Sequence, residues 1–93
     1  MTVGALKVEI LVPGASSLKD KRRAVKSLKD RLRRRFNVSV AEVDHQDRWQ
    51  RAAIGIAAVG TDGAFVSRVL DEVLGFIRRD ADVELAGHEV EVF

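Results

Sequence analysis

The apolar residues of this chain pass twice from a period of two into a period near 3.6 and back, and that alternation limits the fold more than any other feature. Leu6, Val8, Ile10 and Val12 alternate with Ala5, Lys7, Glu9 and Leu11, the pattern of a strand with one buried face. Pro13 and Gly14 stop it. Ser17 then stands as an N-cap with Asp20 as the capping-box acid, and Leu18, Val25, Leu28, Leu32 and Phe36 recur on one helical face. Alternation returns from Asn37 to Asp44 and again from Ala52 to Val59, two segments that read as a hairpin. Thr61, Asp62 and Gly63 open a second helix whose apolar side includes Phe65, Val66, Val69, Leu70, Val73, Leu74 and Ile77. The last strand, Asp82 to Phe93, changes phase between Leu85 and Val90, which predicts a bulge near Gly87. The order βαββαβ with two amphipathic helices predicts an α+β, ferredoxin-like sandwich: one four-stranded antiparallel sheet with both helices on one face.

Ninety-three residues with 46% hydrophobic content suit one domain, 1–93. No apolar run approaches the roughly 20 residues needed to cross a bilayer. Lys7 and Glu9 interrupt the N-terminal apolar stretch, so no signal peptide or membrane contact is expected and the chain reads as cytoplasmic. The chain has no cysteine, which excludes disulfides, thiolate catalysis and Cys-based metal centres. Nothing in the residue pattern calls for a cofactor.

Charge is distributed very unevenly. Between Lys19 and Arg35 there are ten Lys or Arg against Asp20 and Asp30, a local charge of +8, while six bases and twelve acids elsewhere give −6. At 100° per residue Lys19, Arg22, Lys26, Lys29 and Arg33 fall within about a quarter turn beside the apolar face, with Arg23 and Arg34 just beyond. Like-charge pairs four apart, such as Arg22 with Lys26, each cost an isolated helix about 0.2–0.5 kcal/mol, which predicts an external partner that offsets the repulsion. The chemistry suited to such a stripe is phosphate neutralisation with counterion release. A solvated face paired with the chain's own acids is the simpler alternative.

The second patch is the connection Asp44 to Arg51, DHQDRWQR. His45 with Asp44 and Asp47 makes a poor metal set, because adjacent strand residues point to opposite faces and no second histidine is near in sequence. The connection reads either as an Asx-type turn with Trp49 covering the end of the core, or as an extension of the basic stripe through Arg48 and Arg51. Pro13 to Ser17 reads as a helix cap rather than an anion site, and His88 as a packing residue. The open sheet face carries Lys7, Glu9 and Leu11 beside Ala53, Gly55, Ala57 and Val59, with no ring on which a base could stack. That flat face suits protein association, including a homodimer.

The run SLKDKRRAVKSLKDRLRRRFNVSVAEVDHQDRWQRA followed by IGIAAVGTD resembles the YlxP-like family of small bacterial proteins, a domain of unknown function, over essentially the whole chain. The resemblance implies the ferredoxin-like fold and supplies no catalytic residues. Members are often encoded beside translation-initiation and ribosome-maturation factors, which implies RNA or a ribosomal particle as partner. Acylphosphatase chemistry on this topology needs an Arg in the first loop and a strand-borne Asn, and this chain's first loop has no Arg and its one Asn is Asn37. The expectation is therefore a noncatalytic binding protein that contacts nucleic-acid phosphates through Lys19, Arg22, Arg23, Lys26, Lys29, Arg33, Arg34, Arg48 and Arg51. The alternative is a dimeric small-molecule regulatory or protein-interaction module.

Overall fold

Pro13 and Gly14 end the first strand as the turn chemistry predicts, and the other elements follow the same local logic in a computed structural model that describes Met1–Phe93. The elements are β1 (Thr2–Leu11), α1 (Leu18–Arg35), β2 (Ser39–Asp44), β3 (Arg51–Gly60), α2 (Gly63–Arg78) and β4 (Glu84–Val92). All pairings are antiparallel, in the sheet order β2-β3-β1-β4. This is the α+β ferredoxin-like arrangement. No helix is long and apolar enough to cross a membrane.

Both helix starts are capped by side chains. Ser17 Oγ accepts from Asp20 N at 3.1 Å, and Asp62 Oδ1 accepts from Phe65 N at 2.9 Å. The capping box closes one residue earlier than expected: Asp20 Oδ2 accepts from Ser16 N at 3.1 Å and Ser16 Oγ at 2.7 Å, not from Ser17. The Ser16 donors of the Pro13–Ser17 loop are thereby taken by the chain's own carboxylate, which leaves a helix cap. The Ser16 hydroxyl, then its N–H, holds the Asp20 carboxyl below its ordinary value of 3.8.

The core lies between the sheet and the helices. Leu6, Val8 and Ile10 of β1 and Ala52, Ile54 and Ile56 of β3 meet Val25, Leu28 and Leu32 of α1 and Val66, Leu70 and Ile77 of α2. Each fully buried branched side chain contributes about 1.5–3 kcal/mol relative to exposure. Gly4 marks the closest approach of α2 to β1: a Cβ there would collide with Val66 Cγ1 and stand 2.9 Å from Leu70 Cδ1. The phase change in the last strand is a bulge. Glu9 pairs with Gly87 and Ile10 with Leu85, which leaves Ala86 as the extra residue. A second irregularity between Glu42 and Asp44 leaves Val43 unpaired in β2. His88 is exposed rather than packed, because β4 is an edge strand; Val90 and Val92, on the same side of it, are exposed too.

Candidate nucleic-acid interface

The ten bases of α1 divide into two functional groups once the helix is packed. Lys21 is fully buried. It stands three residues after Leu18 and four before Val25, on the apolar stripe itself, and that spacing is the sequence signal that marks it as inward-facing. Its Nζ donates to Glu42 Oε2 at 2.9 Å and to the carbonyls of His45, Gln46 and Arg51 at 2.8, 3.3 and 3.4 Å. A buried ammonium is tolerated only with such a set of acceptors, and here they pin the β2–β3 connection to α1. Arg31 is the second inward base: its Nη1 lies 2.6 Å from Asp80 Oδ2, whose side chain is 2% exposed.

The remaining bases face outward. Arg22, Lys26, Lys29 and Arg33 line one shallow groove of about 330 Å³ between α1 and the β2 edge, together with Asp30 and Glu42. Asp30 sits within this row, with Lys26 Nζ at 2.8 Å and Arg33 Nη1 at 3.5 Å. The repulsion expected along the stripe is thus partly offset from inside the helix, so it does not by itself require an outside partner. The Lys26 ammonium, first among the causes, holds the Asp30 carboxyl below 3.8. Arg33 also reaches across to the sheet, where its Nη2 donates to Val40 O at 2.7 Å and ties the helix to the edge strand. Arg22 and Lys29 form no ion pair with any acid of the chain. Lys19, Arg23 and Arg34 are exposed and equally free of ion pairs.

The connection from Asp44 to Arg51 reaches α1 through Lys21, but its two arginines part company. Arg48 is exposed in the loop, whereas Arg51 turns to the open sheet face, where its Nε is 3.6 Å from Glu9 Oε2. His45 is on that same face, with Nε2 3.2 Å from Glu9 Oε2. Its φ of 62° is the left-handed conformation that a side chain resists. The N–H of His45 donates to Asp44 Oδ1 at 2.8 Å and keeps that carboxyl below 3.8. Trp49 does not cover the core; it is 56% exposed, because the loop folds back on Lys21 and leaves the ring outside. The open sheet face has a shallow apolar cleft of about 460 Å³ among Ala5, Ala41, Val43, Gly55 and Ala57.

The family described as "Protein of unknown function (DUF503)" matches residues 3–90. A protein of Bacillus subtilis (strain 168), "Uncharacterized protein YlxP", is 38% identical over 82 residues, 88% of this chain and 89% of that one. Among solved structures, the "De novo designed protein Foldit4" is similar over 100% of this chain and 97% of its own, with a TM-score of 0.54 at 18% identity, a likeness of fold alone. With nearly its whole length matched and the βαββαβ sheet in place, the chain belongs to the DUF503 family.

Proposed function

We propose that this protein is a noncatalytic binding protein that contacts the phosphates of RNA, free or in a ribosomal particle, through the outer face of α1. The observation that supports this reading is the division of labour along the helix. Lys21 and Arg31 take Glu42 and Asp80, while Arg22 and Lys29, in one groove with Lys26 and Arg33, keep donors that no acid of the chain occupies. Each phosphate contacted would release counterion and add about 0.7–0.9 to the slope of log affinity against log salt. The test is a labelled structured RNA and an acidic non-nucleic polyanion titrated across a salt series. Parent protein should bind the RNA more tightly than the polyanion. The Arg22→Glu/Lys29→Glu variant, which spares the Arg33 tie, should lose roughly two contacts' worth of slope. Equal affinity of parent and variant for RNA would sink the proposal.

The apolar cleft on the open sheet face favours a second reading, association of two copies through their sheets. Sedimentation velocity over a concentration series decides it: a single monomeric species at every concentration would exclude it.

A further inference from the structure

Trp49 is the one tryptophan of the chain, and more than half of it is in water. A large aromatic ring is ordinarily drawn inward, so its exposure at the tip of a loop is informative when that loop is rigid. The β2–β3 connection is held from both ends. On one side the Lys21 ammonium grips the carbonyls of His45 and Gln46, and Arg48 N donates to His45 O at 3.0 Å. On the other, Val12 N donates to Gln50 O at 2.8 Å and Gln50 Nε2 donates to Ala15 O at 3.0 Å. His45 is kept in its left-handed conformation inside this frame. Such strain persists only where surrounding contacts over-determine the backbone, and it clusters where a segment is held for use. Asp47, Arg48 and Trp49 are what the frame presents to solvent.

The place of the loop matters as much as its rigidity. Lys21, which holds it, is followed directly by Arg22, the first residue of the groove, and Glu42 belongs both to that groove and to the Lys21 pair. The loop that carries the ring is therefore anchored beside the N-terminal end of α1, where the basic stripe begins. We propose that Trp49 stacks on an unpaired base of the RNA whose phosphates lie along α1, with Arg48 beside it for an adjoining phosphate. The inference rests on the nucleic-acid reading above and deepens it. A base offers a flat π-face whatever its identity, so stacking adds affinity for single-stranded segments without choosing a sequence. A ring carried on an anchored backbone has less freedom to lose on binding than one on a free loop. The arrangement also supplies, at the hairpin tip, the aromatic contact that Ala53, Gly55 and Ala57 deny to the sheet face.

Because there is a single tryptophan, its emission reports on this position alone. Two labelled RNAs, a hairpin with an unpaired loop and a fully paired duplex, are titrated with parent, Trp49→Phe and Trp49→Ala proteins. Anisotropy of the label gives binding, and Trp49 emission gives stacking. The looped RNA should quench Trp49 and bind the parent about tenfold or more tightly than Trp49→Ala. Trp49→Phe should keep most of that gain, and the duplex should bind all three proteins alike. If the looped RNA binds parent and Trp49→Ala equally and leaves the emission unchanged, the stacking proposal fails while the phosphate reading stands. If Trp49→Ala weakens duplex and looped RNA by the same factor, stacking on an unpaired base is again excluded. If the parent binds neither RNA, both readings fall together.

Discussion

Lys21→Met would leave three carbonyl oxygens and the Glu42 carboxylate with an apolar side chain where they now share an ammonium. Removing one partner of a buried ion pair costs about 3–5 kcal/mol, and a denaturant midpoint should report a loss of that size. Lys26→Met, five residues on, deletes an ion pair whose lysine is 76% exposed, and the same measurement should move by less than about 0.5 kcal/mol. The acids give a pH signature. Asp20, Asp30 and Asp44 all have carboxyls held below 3.8 in the folded protein, by Ser16, by Lys26 and by the His45 N–H respectively. A depressed folded value means that the stabilisation is present above the unfolded value and is lost as pH falls through the folded one. Stability should therefore be level near neutrality and decline below about pH 4, and Asp20→Asn/Asp30→Asn should make that decline shallower. An unchanged acid decline in the double variant would remove these carboxylates as its source.

α1 shows where a sequence is legible and where it is not. Its apolar stripe, its Ser17 cap and its end before Asn37 all follow from spacing and capping chemistry, and the structure has them. The two-period alternation likewise places β1, the hairpin and the bulge opposite Glu9. The fate of individual charges is less accessible. Counting by sign groups Lys21 with Arg22, although the helical wheel puts Lys21 among the leucines and leaves Arg22 outside. Arg31 finds Asp80, 49 positions away in the chain, because α1 packs beside the end of α2, a meeting that local periodicity does not encode. The reading of Trp49 as a cover for the core fails for a related reason: hydrophobicity suggests burial, but Lys21 and Val12 bond carbonyls of its loop and Gln50 ties the loop to Ala15, long-range contacts that leave the ring outside. Between β1 and α2 the controlling residue is the smallest one. Gly4→Ala forces a methyl into Val66 and Leu70, and a thermal or denaturant melt should show a loss of about 1–3 kcal/mol.

At the scale of the whole molecule, the helix layer presents the unpaired bases of α1, and β4 bears Glu84, Glu89 and Glu91 along the far edge of the sheet. The sheet ends in two unlike strands, and they are guarded by different means. β4 has its row of carboxylates, a recognised deterrent to strand addition. β2 has Arg33, whose guanidinium is bonded to the Val40 carbonyl and sets a charged side chain against that edge strand. Arg33→Ala should leave the core intact and increase self-association at high protein concentration, seen as added light scattering. Equal scattering from parent and variant would show that the β2 edge needs no such guard. Sheets joined β2 to β4 make a heterologous contact, which runs on as an open polymer wherever the rotation from copy to copy does not close a ring. One arginine, placed across one carbonyl, takes the first link out of that polymer.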